Sequence, residues 1–105
     1  MNTPSPVLKK WLWLHTQDNV AMALCDFSKG DSVEIDSHEI VLKDPIEYGH
    51  KFAVKDIHEG EPIIKYSETI GIAGKEIQAG EHVHVHNVQS LRARRTLTDA
   101  RTQGV

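Results

Sequence analysis

The chain has 105 residues, 12 Lys and Arg against 15 Asp and Glu, a formal charge of −3 and one cysteine. A chain of this length is one small domain that buries roughly 65% of its unfolded surface around a modest core, so a catalytic site built from it is shallow or completed by another chain. The acidic balance lacks the basic stripe of a nucleic-acid binder, and one cysteine excludes an intrachain disulfide.

In chain order, the start "MNTPSPVLKK" has prolines where a signal peptide needs an apolar stretch, and "WLWL" is too short to span a bilayer. A cytoplasmic protein without a membrane partner is predicted, with residues 1–8 as a flexible lead-in. "VLKKWLWLH" and "NVAMALCDF" are apolar runs separated by the polar "TQD", and they read as two neighbouring strands. Cys25, inside "VAMALC", reads as a small core residue rather than a nucleophile. His15, Asp18 and Asn19 in "HTQDN" are candidate ligand contacts or turn caps.

One pattern then recurs three times, in "DFSKGDSVEI" (26–35), "DIHEGEPIIK" (56–65) and "EIQAGEHVHV" (76–85). An acid and an apolar residue lead through a turn to Gly30, Gly60 or Gly80, then to an acid and a strand-like segment. Each glycine is suited to end a tight turn at positive φ, with Phe27, Ile57 and Ile77 as anchors in the core. The units are too short and too uneven for a solenoid; they predict a mainly β domain of short strands and tight turns. "SVEIDSHEIVL" and "HKFAVKDI" add partial alternation and β-branched residues.

Between these units, "EYGHKFAV" turns at Gly49 and sends His50 and Lys51 to opposite sides of an extended backbone. The pair could hold a carboxylate or simply decorate an exposed turn. Lys65 and Tyr66 in "IIKYSETIG" present the same choice. "GIAGKEI" lacks the spacing and the Ser/Thr of a phosphate loop, and no nucleophile elbow, zincin motif or paired-cysteine zinc site is present. The last segment, residues 91–105, is a basic tail with Arg92, Arg94, Arg95 and Arg101; it reads as a short helix, a mobile end or a docking segment.

"GEHVHVHNV" places His82, His84 and His86 at every second position. If 82–88 is a strand, the three imidazoles share one face, with neighbours about 7 Å apart and the outer pair about 13 Å apart at Cα. A metal binds imidazole nitrogen at about 2.0–2.1 Å, so an unbent strand offers two ligands at most, His84 with His86 or His82 with His84. Alternatively the histidines coat an edge strand, or form a pH-sensitive contact surface.

In combination, "HTQDNVAMAL", "GHKFAVKDIHEGEPIIKYSETIGIA" and "IQAGEHVHVHNV" resemble the N-terminal SAF domain of the altronate and galactarate dehydratase family. The same domain occurs as the small subunit of two-chain relatives such as sulfolactate sulfo-lyase. The resemblance runs from about residue 10 to 90, and Ser67 departs from it, since the family usually has glycine after the tyrosine. It implies a β-clip fold over residues 9–90. It further implies that the chain is one part of a hydro-lyase acting on a small sugar acid beside a large catalytic subunit, which would hold most of an Fe²⁺ or Mn²⁺ ion. Carried over by position, His84 and His86 become catalytic groups or metal ligands, and His50, Lys51, Lys65, Tyr66 and Asn87 become substrate-binding residues. A sulfo-lyase small subunit, or a stand-alone module binding acidic carbohydrates or another protein, is the competing reading. Open strand edges leave room for a homodimer when the large subunit is absent.

Overall fold

The computed structural model describes residues 9–91; the expected lead-in 1–8 and the basic tail from residue 92 lie outside the described residues. The elements are nine short strands: β1 (Trp11–Leu12), β2 (Val20–Ala23), β3 (Ser32–Ile35), β4 (His38–Val41), β5 (Lys51–Ala53), β6 (Pro62–Lys65), β7 (Glu68–Ala73), β8 (His82–Val83) and β9 (Val88–Gln89). The fold is mainly β, as the sequence predicts. No helix among the described residues is long and apolar enough to cross a membrane.

All pairings are antiparallel. The central sheet has the order β1-β2-β5-β8, β3 and β4 form a hairpin, and β6-β7-β9 form a third sheet. The two apolar runs near the start do become neighbours, with Trp11 opposite Ala23 and Leu12 opposite Met22. Side chains alternate along β2 and β5, so the pair is covered on both faces. Ala21, Ala23 and Phe52 pack with Phe27, Val33, Ile35, Ile40, Leu42 and Ile46. Val20 and Ala53 face the other way and pack with Ile57, Ile63, Ala73, Ile77 and Val83. Two small cores therefore share one wall, and Phe52, fully buried, closes the first with an edge-on contact to Phe27 at 6.0 Å.

The turn unit occurs four times, not three. The additional copy is Pro45–Ile46–Glu47–Tyr48–Gly49–His50, with Gly49 at φ 85°. It escapes the sequence pattern because Pro45 and His50 replace both acids. The anchors pair: Phe27 bridges Ile46, and Ile57 bridges Ile77. Equivalent bonds recur in each half. Gly30 N–H donates to Leu42 O and Gly60 N–H to Ala73 O, both at 2.8 Å; Gly49 N–H donates to Ala23 O and Gly80 N–H to Ala53 O, again at 2.8 Å. The acids stabilise these turns. Asp31, Glu61 and Glu81 accept from the backbone N–H three residues earlier, at 2.8, 2.8 and 2.7 Å. Asp26, Asp56 and Glu76 accept from the backbone of the paired turn, at Tyr48, Ala79 and Glu59. Gly80 cannot be replaced cheaply: its φ is +93°, and a Cβ there would lie 2.2 Å from Val41 O.

One expectation fails. Residues 82–88 are not a strand. β8 ends at Val83, residues 84–87 turn, and β9 begins at Val88 in a different sheet. Asn87 closes this turn: its Oδ1 accepts the His84 N–H at 3.0 Å, and its Nδ2 donates to His82 O at 2.8 Å. The alternation that suggested a strand does not continue into burial, since Val85 is 82% exposed.

Candidate functional site

The turn at 84–87 folds the histidines back on one another. His82 lies on β8 beside β5, opposite Phe52. His50 enters from the turn before β5, at the position where the other three turns carry a capping acid. An imidazole there does not cap the turn as a carboxylate would, and its ring joins the cluster instead. His50 Nδ1 lies 2.9 Å from His82 Nε2. The rings of His50 and His84 stack at 4.4 Å, those of His50 and His82 at 5.1 Å, and those of His82 and His84 at 5.2 Å. Ring nitrogens of His50, His82 and His84 all fall within 4.8 Å of one another. His86 stands outside this trio, with its ring tilted against His82 at 5.4 Å.

Electrostatics favour the neutral form of His82. Burial, followed by the neighbouring imidazoles of His50, His84 and His86, pushes the His82 pKa below its usual value, against a smaller opposing pull from Asp44. A neutral imidazole can accept a hydrogen bond, act as a base or ligate a metal.

His84 also borders an open cavity of about 310 Å³, shared with Lys51 and floored by Ile63, Val83 and Val88. Burial, then the positive charge of Lys65, lowers the Lys51 pKa. The Lys65 ammonium sits 4.4 Å from the centre of the Tyr66 ring. Among the described residues, the ion pairs involve only His50 with Glu47 and His58 with Glu76, so neither lysine has a carboxylate within 4.0 Å there, although Glu68 stands opposite Lys65 in the β6–β7 register. Ile70 and Val85 stand exposed at the rim.

The Lys65–Tyr66 corner is held by a buried polar pair far away in sequence. Asn19 Oδ1 accepts the Ile64 N–H at 2.7 Å and its Nδ2 donates to Pro62 O at 2.9 Å. Asp18 Oδ1 accepts the Ser67 N–H at 2.8 Å. Tyr66 and Ser67 both have positive φ, 55° and 64°, the two-residue turn geometry that favours glycine at its second position. That is why glycine suits the position of Ser67. Burial alone would raise the Asp18 carboxyl, but backbone N–H groups at Ser67, Tyr66, His15 and Leu14 outweigh it and hold the pKa below the ordinary range.

The structure thus brings His50 and His84 together, sets Lys51 and His84 on one cavity and Lys65 near enough to act on Lys51 by charge, links Tyr66 to this group through Lys65, and leaves His86 at the edge of the histidines. Asn87, expected beside the substrate, is 3% exposed and its amide is committed to the turn beneath the histidines. His82 belongs to the cluster; the sequence offers it only in the alternative pair with His84, because regular strand spacing would keep its ring away from His86. Asp18 and Asn19 are more than local caps, since each serves a hairpin more than 40 residues later. Cys25 is partly buried against the first core, with its thiol 4.0 Å from Lys10 O.

Known proteins share much of this sequence. Residues 9–91 match the profile of the altronate/galactarate dehydratase SAF domain. The chain is 42% identical to altronate dehydratase of Bacillus subtilis (strain 168) over 83 residues, covering 79% of this chain but 17% of that protein. It is 42% identical to altronate dehydratase of Escherichia coli (strain K12) over 81 residues, 77% of this chain and 16% of that protein. Against (2R)-sulfolactate sulfo-lyase subunit alpha of Chromohalobacter salexigens it is 53% identical over 51 residues, 49% of this chain and 54% of that subunit. The aligned part is therefore a small fraction of the dehydratases and about half of the sulfo-lyase subunit.

Proposed function

Because this chain belongs to the altronate/galactarate dehydratase SAF domain family, we propose that it is the small subunit of a metal-dependent sugar-acid hydro-lyase and works beside a larger catalytic chain. The observation that carries this reading is the pair Lys51 and Lys65, close enough for one charge to lower the other's pKa and lacking a carboxylate partner among the described residues, next to His84 at an open cavity. Two neighbouring lysines without a close carboxylate, one of them lining a shallow cleft, are suited to an anion.

Elimination of water from a hydroxy acid begins with loss of the proton α to the carboxylate, which leaves a dianionic enediolate. Fixed positive charge near that dianion lowers the barrier. In this reading Lys51 and Lys65 seat the substrate carboxylate, and Tyr66 orients a hydroxyl. His84 and His86 reach the reacting carbons as proton carriers. A divalent ion, Fe²⁺ or Mn²⁺, held largely by the large chain, would supply Lewis-acid stabilisation of the enediolate. The large chain closes over the exposed rim at Ile70 and Val85. A cytoplasmic location fits a small acidic protein with one free cysteine.

A sulfo-lyase is the second reading, favoured by the likeness to two (2R)-sulfolactate sulfo-lyase alpha subunits, one of which is matched over 79% of its length. Both eliminations share the α-proton step, and the leaving group is chosen by contacts that the large chain supplies. The test is co-expression with a large chain encoded nearby, followed by assay of aldonic, aldaric and sulfonated hydroxy acids. Turnover that falls at least tenfold in Lys51→Met and Lys65→Met supports the reading, and water or sulfite release identifies the class. Unchanged turnover in both variants overturns the role of the lysines. Binding of an acid without conversion, and with no partner retained, points to a stand-alone binding module.

A further inference from the structure

We propose that this chain by itself holds a divalent first-row transition ion between His50, His82 and His84. This goes beyond the reading above, which leaves the ion to the large subunit, and it stands independently of any turnover.

The spacing of the ring nitrogens fits one ion. Two nitrogens bound at right angles to one ion at 2.0–2.1 Å lie about 3.0 Å apart. His50 Nδ1 and His82 Nε2 are already 2.9 Å apart. The His84 nitrogen that completes the group lies within 4.8 Å of both, on an exposed ring that can swing towards them.

Each of the three is held by its backbone. His50 donates its N–H to Glu47 O at 2.9 Å, and its O accepts from Ala23 at 2.8 Å. The His82 N–H donates to Asp44 Oδ2 at 3.0 Å. Asn87 ties the His82 carbonyl to the His84 N–H. Little chain ordering is left to be done when an ion arrives. A carboxylate also stands behind one ligand: Glu47 Oε1 is 3.6 Å from His50 Nε2, the nitrogen opposite the one that faces His82. Metal-binding imidazoles commonly direct their second nitrogen to such a group.

The donor set defines the ion class. Three neutral imidazoles suit Fe²⁺, Co²⁺, Ni²⁺, Cu²⁺ or Zn²⁺ and disfavour Mg²⁺ and Ca²⁺, which take oxygen ligands. The other close acid–histidine contact, His58 with Glu76, is an exposed pair, and His50, His82 and His84 are the trio that meets among the described residues.

The experiment uses the untagged full chain, freed of metal with a chelator. It is titrated with Co²⁺, followed by visible d–d absorption, and with Zn²⁺, followed by calorimetry. The expected result is one ion per chain, with Mg²⁺ failing to compete. His50→Ala and His84→Ala should each weaken binding by more than the roughly 10–100-fold typical of an outer-shell change, and Glu47→Gln by about tenfold. His86→Ala and His58→Ala should leave it unchanged. Circular dichroism and thermal unfolding of the metal-free variants establish that they fold; if His50→Ala does not, His84→Ala and Glu47→Gln decide. No Co²⁺ spectrum, or affinity insensitive to His84→Ala, overturns the proposal. A complex that dehydrates acids while the lone chain binds no ion sinks this inference and spares the assigned function. An ion-binding chain that finds no large partner and no substrate does the reverse.

Discussion

Replacing Asp18 tests whether a buried carboxylate holds the Lys65–Tyr66 corner in place. Asp18 is 1% exposed, and its Oδ1 accepts the Ser67 N–H at 2.8 Å, while Oδ2 is buried without a hydrogen bond. Asp18→Ala removes a charged acceptor and leaves the Ser67 N–H unpaired. A hydrogen bond to a charged group contributes about 1.5–3 kcal/mol. Desolvation of the carboxylate opposes this, but the lowered pKa indicates that the surrounding donors win. The net cost is then about 1.5–3 kcal/mol in urea unfolding at pH 7. Asp18→Asn keeps an acceptor for Ser67 but places an unpartnered amide where Oδ2 lies, and should cost about 1–2 kcal/mol.

The pH dependence separates charge from shape. Because the folded-state pKa of Asp18 lies below its ordinary 3.8, the carboxylate's contribution is complete above the unfolded value. As pH falls below about 4, the unfolded chain takes up the proton first, and the contribution is lost as pH passes through the folded value. Wild type should therefore lose more stability than Asp18→Asn between pH 5 and the acid limit of folding. Parallel stability curves for the two proteins, or a loss below about 0.5 kcal/mol in Asp18→Ala, would refute the reasoning.

Ser67→Gly should stabilise the fold by about 0.5–1 kcal/mol, since glycine adopts the φ of 64° without a side-chain clash and keeps the N–H that Asp18 binds; chemical denaturation reads it. Gly80→Ala should destabilise by roughly 2–4 kcal/mol, because φ is +93° and the added methyl would meet Val41 O; a melting temperature within a degree of wild type would contradict the turn geometry. Phe52→Ala opens a cavity against the wall between the two cores and should cost about 3–5 kcal/mol, with loss of cooperative unfolding as the most severe outcome. If the proposed function holds, a complex reconstituted with a large chain should show a higher KM for the acid in Lys51→Met combined with Lys65→Met than in either single variant, which steady-state kinetics against substrate concentration will show.

Local chemistry determined much of this protein. Glycine's freedom at positive φ, the acids that cap each turn and the apolar anchor before it can be read residue by residue, and they account for the β class and for three of the four turns. The fourth was hidden where Pro45 and His50 displaced the acids, and that displacement is what brings an imidazole to the site. The strand expected over 82–88 failed because alternation specifies spacing only while a chain stays extended, and Asn87 bends it. Only the tertiary structure decided which distant residues meet. β5 pairs with both β2 and β8, so His50 reaches His82 across 32 residues; Asp18 reaches Ser67 across 49. Periodicity constrains a side chain relative to its neighbours in sequence, whereas the choice of strand partners depends on burying two apolar clusters against one shared wall, a property of the whole chain.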